Sequence, residues 1–90
     1  MPIIQGQVVD PEGQPVAQAA VYFVSAPVNM PDIAQLTDDE GKFTTYLPTP
    51  GDYTLGARSD NWGEVQQEIQ VIGENPLTME MRFNKPGGEK

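Results

Sequence analysis

Glycine and proline interrupt this chain so often that no window can hold an amphipathic helix of about ten residues or more. These turn signals recur about every 8 to 12 residues, which is the spacing of short antiparallel strands in a sandwich or barrel. Between them, apolar and polar residues alternate with a period of about two, as they do in a strand with one buried face. The sequence therefore predicts an all-β fold.

Seven strands can be placed between the turn signals. They cover residues 3–9, 19–25, 34–37, 42–47, 53–58, 65–71 and 77–83. Alternate side chains of these strands are expected to face a core about 10 Å thick between two sheets. The predicted inward set comprises Ile4, Gly6, Val8, Val21, Phe23, Phe43, Thr45, Leu47, Tyr53, Leu55, Ala57, Val65, Ile69, Val71, Leu77, Met79, Met81 and Phe83.

Four segments rich in glycine and proline are predicted to be tight connections, at residues 10–15, 38–41, 48–51 and 73–76. Segment 38–41 is expected to form a hairpin into the fourth strand. Residues 84–90 contain Pro86-Gly87-Gly88 and no large apolar side chain, so they are predicted to be a flexible tail or the stub of a linker. The folded domain is thus expected to span residues 1–83.

Composition removes most catalytic routes. The 90 residues include no cysteine and no histidine. A disulfide, a thiolate nucleophile, a Ser-His or Cys-His pair and a histidine-bearing metal site are therefore all excluded. A chain this short buries only about 60 to 65% of the surface that its unfolded form exposes, which leaves little core for a deep pocket. We expect no enzymatic activity, no cofactor and no metal.

The net charge is −8, from 13 acidic and 5 basic residues. This charge repels phosphate backbones and anionic lipid surfaces, so we expect no nucleic-acid partner. No apolar run approaches the roughly 20 residues of a membrane span, and the first residues have neither a basic start nor a long apolar stretch. Membrane insertion is not expected. The compartment is left open: extracytoplasmic if a signal has been removed, and otherwise cytoplasmic.

Two sequence phrases carry a family resemblance. The first is Ile4-x-Gly6-x-Val8-x-Asp10-x-x-Gly13-x-Pro15-Val16-x-x-Ala19-x-Val21, and the second is Thr37-Asp38-x-x-Gly41-x-Phe43, followed by Leu47-Pro48 and Gly51-Asp52-Tyr53-x-Leu55. In this order and spacing they resemble the carboxypeptidase regulatory-like domain family. The resemblance implies a seven-stranded antiparallel Greek-key β-sandwich of the prealbumin-like (transthyretin-like) type. It also implies a non-catalytic domain that sits beside an enzyme, a surface protein or an outer-membrane transporter as a folding aid, spacer or ligand-binding module.

Similar sandwiches that carry chemistry differ from this chain. Hydroxyisourate hydrolases use histidines and a C-terminal Tyr-Arg-Gly-Ser motif, and intradiol dioxygenases hold iron with histidine and tyrosine. The chain has no histidine and lacks that motif. Collagen-adhesin B-type repeats often join a lysine to an asparagine, but no lysine precedes Lys42, which falls on the outward side of its strand.

The acidic residues Asp38, Asp39 and Glu40, with Asp10 and Glu12 elsewhere, could offer oxygen ligands to calcium, which takes about six to eight. Their spacing does not match the calcium loop of about twelve residues. Turn chemistry explains the same residues, because an aspartate can accept backbone N–H groups of its own turn and the following glycine can take a positive φ. We therefore predict turns here, and solvated surface charge for the other carboxylates, since no pair is placed for glycoside hydrolysis.

The segment Ser59-Asp60-Asn61-Trp62-Gly63-Glu64 holds the single tryptophan and is the candidate contact site. A loop aromatic beside Asp60, Asn61 and Glu64 could stack on a sugar ring or a peptide while its neighbours donate and accept hydrogen bonds. The family resemblance instead implies an aromatic that folds back as a plug over the end of the sandwich. We expect the plug.

The sequence thus favours a non-enzymatic accessory domain that acts as a structural spacer or protein-interaction module, with a protein partner or a covalently linked neighbouring domain. The alternative from another class is a small carbohydrate-binding module that uses Trp62, Asp60, Asn61 and Glu64. A third option is self-association through an edge strand, for which Tyr22, Val24 and Tyr46 are predicted to be exposed.

Overall fold

The structure is a computed structural model that describes residues 2–29 and 34–84. Within those ranges it contains no helix and seven strands: β1 (Ile3–Val9), β2 (Ala20–Ser25), β3 (Gln35–Leu36), β4 (Lys42–Tyr46), β5 (Gly51–Ser59), β6 (Gly63–Val71) and β7 (Leu77–Arg82). All seven predicted strands are confirmed, and their ends shift by at most two residues. The alternation of apolar and polar residues therefore located every strand, to within two residues at each end.

The strands form two sheets that pack as a sandwich. The three-stranded sheet has the order β4-β1-β7, and the four-stranded sheet has the order β3-β2-β5-β6. The predicted all-β sandwich is confirmed. One pairing differs from the antiparallel expectation, because β1 and β7 run parallel while every other pair of strands is antiparallel. Sequence alternation gives no direction to a pairing between the first and last strands, so it could not reveal this exception.

The turn at residues 38–41 forms, but the predicted hairpin between neighbouring strands is wrong. The strand before the turn, β3, pairs with β2 in the four-stranded sheet, whereas β4 pairs with β1 in the three-stranded sheet. Before the turn, Asp38 bonds to the first residue of β4: its backbone N–H donates to the carbonyl of Lys42 at 3.0 Å. The turn therefore carries the chain from one sheet to the other.

The core lies between the inner faces of the two sheets, as predicted. Tyr53, Leu55 and Ala57 of β5 are at most 1% exposed, and most of the other predicted inward side chains are also buried. Phe23, Val65, Ile69 and Leu77 are half-buried at its margin. Val16 and Ala19, from the segment between β1 and β2, complete the core. The predicted inward set did not include them, although Ala19 began the second predicted strand.

Thr37 is the polar residue that the described part of the core encloses, at 1% exposure. Its hydroxyl donates to the carbonyl of Val16 at 2.6 Å and accepts the N–H of Ala19 at 2.9 Å. The backbone of Thr37 also bonds to Gln18 and Ala19. One threonine therefore ties the segment between β1 and β2 to the end of β3, and buried polar groups need such partners.

Two glycines are required by aromatic rings that lie directly on the backbone. On the inner face, the Phe43 ring occupies the space that a side chain at Gly6 would fill. On the outer face, the Tyr22 ring would lie 2.5 Å from a Cβ atom at Gly56. Each ring covers a sheet position that has no side chain of its own, so larger residues would displace the ring.

Three connections lie at the same end of the sandwich, here called the loop end: residues 10–15, 38–41 and 60–62. β2 begins there, because Ala20 pairs with both Leu36 and Arg58 at the ends of β3 and β5. The Val8 N–H donates to the Gly41 carbonyl at 2.7 Å, so β1 also ends there. Because β7 is parallel to β1, β1 begins at the opposite end and β7 finishes at the loop end.

Two expectations bear on the chain outside this core. The predicted flexible tail, 84–90, lies outside the described residues except for Asn84. In the described ranges, nothing forms a helix with the length and apolar character needed to cross a membrane.

Candidate functional site

The candidate loop joins β5 to β6 and is short. Ser59 pairs with Gly63, which leaves residues 60–62 as the loop. Gly63 has φ of 84°, in the left-handed region that glycine adopts at little cost. The Ser59 hydroxyl oxygen accepts the backbone N–H of Asn61 at 3.2 Å. The loop is therefore a compact turn whose shape is set by its own residues.

The Trp62 side chain packs against the hydrophobic core and is half-buried, whereas Asp60 and Asn61 are exposed. A half-buried indole offers only part of its face to a ligand. Burial of the rest contributes to stability, since apolar surface removed from water is worth about 25 cal/mol per Å². The position of the ring therefore resembles that of a plug more than that of an open platform.

Glu64 is directed away from the core. It pairs with Arg58 across the β5–β6 ladder and accepts a hydrogen bond from the Tyr22 hydroxyl. The same Tyr22 ring covers Gly56, so the tyrosine bridges three strands on the outer face of the four-stranded sheet. Sequence reasoning missed this contact because its two side chains are 42 residues apart.

The four residues predicted to form a contact site are thus divided by the structure. Asp60, Asn61 and Trp62 share the loop, while Glu64 belongs to the outer face and already has Tyr22 as a partner. Any contact at this end that used the Glu64 carboxylate would share it with the Tyr22 hydroxyl. The binding role of these residues stays a prediction.

The loop end also carries two turns with the same hydrogen-bond pattern. Asp10 and Asp38 each accept two backbone N–H groups on one carboxylate oxygen, at 2.8 to 2.9 Å. Gly13 and Gly41 have φ of 90° and 74°, and each donates its N–H to the backbone carbonyl of the aspartate three residues earlier. The sequences Asp-Pro-Glu-Gly and Asp-Asp-Glu-Gly therefore build one type of turn twice. The predicted role of Asp38 as a turn cap is confirmed, and Asp10 caps its turn in the same way.

The two turns also contact the strands beneath them. The Gln7 amide donates to the Glu40 carbonyl at 2.8 Å, and the Arg82 guanidinium donates to the Pro11 carbonyl at 3.2 Å. Exposed ion pairs join Lys42 to Glu40 and Arg82 to Glu80, at 3.4 and 3.5 Å. Among the described residues, no three carboxylates converge in a way that could hold a metal ion.

A shallow depression of about 610 Å³ lies on the outer face of the three-stranded sheet. Its floor is made of two rows of polar side chains, Thr44–Gln5–Thr78 and Lys42–Gln7–Glu80. Among the described residues, Glu80 alone contributes a carboxylate to its lining, so no carboxylate pair for acid and base catalysis is seen there. Its chemistry is that of a solvated sheet face.

A family model described as the carboxypeptidase regulatory-like domain matches residues 3–84. No curated protein matches the chain. The matched range covers all seven strands, from β1 to the end of β7.

Proposed function

The chain belongs to the carboxypeptidase regulatory-like domain family, and from this membership we propose that it is a non-catalytic accessory domain, acting as a structural spacer or protein-interaction module. Its expected partner is a neighbouring domain of the same polypeptide or another protein. Most of the large apolar side chains fill the core, and two aspartates at the loop end cap their own turns. These residues are thus used for folding.

The observation that carries the spacer role is the position of the first and last strands. β1 and β7 lie side by side and parallel, so the chain comes in at one end of the sandwich and leaves at the other. Segments attached to the two strands are held apart by the length of a strand pair, about 20 Å for six residues. A folded unit keeps that separation, whereas a flexible linker samples many.

The interaction role is supported by an open edge on β4. Because Gly41 and Leu47 bond to the β1 side, the intervening odd-numbered residues also face β1, and Thr44 and Tyr46 direct their backbone groups outward. In the described ranges, no backbone group of Thr44 or Tyr46 has a partner on that side. The charge of −8 favours a partner segment that is neutral or basic.

Carbohydrate binding through Trp62 and self-association through an edge strand are weaker proposals. The indole is half-buried and Glu64 is bonded to Tyr22, which reduces the groups available to a sugar. Of the residues expected to support self-association, Val24 and Tyr46 are 46% and 65% exposed, while Tyr22 is half-buried.

The proposal is tested by replacing residues 3–83 in the natural gene with two substitutes. One is an unrelated β-sandwich whose terminal strands also leave at opposite ends, and the other is a glycine-serine linker. If the domain is a spacer, the foreign sandwich should restore the function that is lost when residues 3–83 are deleted, and the linker should not. An interaction module predicts that neither restores it. If the linker performs as well as the native residues, both roles are wrong.

A further inference from the structure

The parallel pairing of β1 with β7 is continuous. Six residue pairs run without a break from Ile4 opposite Leu77 to Val9 opposite Arg82. These are the first and last strands of the described chain. Any pull on the two ends of the domain therefore reaches this pair first.

The hydrogen bonds of the pair follow from its neighbours. Pro2 and Val8 bond toward β4, through Leu47 N–H to the Pro2 carbonyl at 2.9 Å and Val8 N–H to the Gly41 carbonyl at 2.7 Å. Successive residues of a strand face opposite neighbours, so Ile3, Gln5, Gln7 and Val9 face β7. Phe83 N–H accordingly donates to the Val9 carbonyl at 3.0 Å.

The direction of loading distinguishes this arrangement from an ordinary strand pair. Because β1 begins at one end and β7 finishes at the other, tension along the chain slides the strands past each other. Sliding strains all the cross-strand bonds together, whereas pulling both strands from one end would break the bonds one at a time. Each bond on its own is weak, so simultaneous loading is what makes such a pair resistant.

We propose that the β1–β7 pair is a mechanical clamp and that the domain carries tension between the segments joined to its two ends. This inference rests on the proposed spacer role and adds force-bearing to it. The clamp is sealed on its inner face by Ile4, Val8, Met79 and Met81, each at most 8% exposed. It is fastened at the loop end, where the Arg82 side chain reaches the Pro11 carbonyl at 3.2 Å.

The test is single-molecule force spectroscopy on the full chain in two tether geometries. In the first, handles are attached at the two chain termini, which loads β1 and β7 by sliding. In the second, handles are attached at the N-terminus and at Asn75→Cys, an exposed position two residues before the start of β7. This second geometry peels the two strands from the end where both begin. The native chain has no cysteine, so the handle site is unique.

The clamp predicts a severalfold higher unfolding force in the sliding geometry than in the peeling geometry at the same pulling speed. Forced unfolding follows the barrier to unfolding and not the overall stability, so one folded protein should give two forces. The sliding event should release the whole domain in one step of about 250 Å, from roughly 80 residues at about 3.4 Å each less the folded separation. Equal forces, or an early release of β7 alone, would overturn the clamp.

A matched pair of proline variants tests the hydrogen bonds themselves. Gln5 and Thr44 are cross-strand partners with exposed side chains, but the Gln5 N–H faces β7 and the Thr44 N–H faces off the sheet. Gln5→Pro should lower the sliding force and leave the peeling force much closer to its original value. Thr44→Pro should leave both nearly unchanged. A loss of sliding force with Thr44→Pro equal to that with Gln5→Pro would contradict the clamp.

The clamp and the spacer role can fail separately. A weak domain in the sliding geometry would remove the clamp, while restoration by the foreign sandwich would still support a spacer. Conversely, a strong clamp with a fully functional glycine-serine substitute would show a resistant domain that is not needed as a spacer.

Discussion

Thr37 shows how one buried polar side chain can fasten two parts of the chain. Its hydroxyl donates to the Val16 carbonyl and accepts the Ala19 N–H. One side chain thus holds the segment between β1 and β2 against the end of β3. Loss of the hydroxyl would leave a buried N–H and a buried carbonyl with fewer partners. The free-energy cost exceeds the net contribution of the hydrogen bond, because the buried N–H and carbonyl would have neither water nor a protein partner in its place.

We therefore predict that Thr37→Val, which keeps the volume and removes the hydroxyl, lowers the free energy of unfolding by about 1 to 3 kcal/mol. Urea denaturation monitored by circular dichroism measures the change. Thr37→Ser should recover much of the loss. The control is Thr54→Val, at a half-buried threonine on the outer face of β5, which should stay within about 0.5 kcal/mol. Equal losses at both positions would rule out the bridging role.

Trp62 is the residue on which the structural and binding interpretations differ most. Its contact with the core predicts blue-shifted fluorescence and poor quenching by iodide. Trp62→Ala should lower the free energy of unfolding by about 2 kcal/mol or more, because the indole loses its contact with the core. The loss should be smaller than for a fully buried indole, since the ring is only half-buried. Asn61→Ala, at an exposed neighbour, should stay within about 0.5 kcal/mol. Red-shifted emission that changes when oligosaccharides are added would favour the carbohydrate alternative.

At the scale of elements, local sequence was sufficient for strands and turns. Period-two alternation located β5 and β7, and the Asp-x-Glu-Gly sequence formed the same turn at Asp10 and at Asp38. Both features depend on residues within five positions of one another, which is why they could be predicted. Which strand the chain pairs with after a turn depends on strands that are distant in sequence. The prediction of a hairpin at residues 38–41 was therefore wrong, because β3 pairs with β2 and β4 pairs with β1.

The role of the capping aspartate in stability can be tested with three single substitutions in the turn at residues 38–41. Asp38→Ala removes the acceptor of the Glu40 and Lys42 N–H groups and should cost about 1 kcal/mol. Asp38→Asn keeps an oxygen acceptor and should be milder. Asp39→Ala changes the charge by the same amount without removing a turn acceptor, so thermal melts should show a smaller effect. A larger loss for Asp39→Ala would mean that charge, not capping, sets the stability of this turn.

For the whole molecule, the absence of histidine and cysteine makes a prediction about pH. No side chain present has an ordinary pKa between 6 and 8, so the melting temperature should change little across that interval. Far-ultraviolet circular dichroism should show strand without helix. A steep change of melting temperature between pH 6 and 8 would reveal a carboxylate with a strongly altered pKa, and with it a site that neither sequence nor geometry identified.

The sequence by itself determined the strands, the capped turns and most of the core, because each depends on the spacing of a few neighbouring residues. Tertiary structure decided which strands pair and in which direction. It placed β7 parallel to β1, sent β3 and β4 to different sheets, and brought Tyr22 to Glu64 and Thr37 to Val16. Every strand offers the same backbone donors and acceptors on both edges, so its pairing is chosen by the packing of the whole core and not by its own residues.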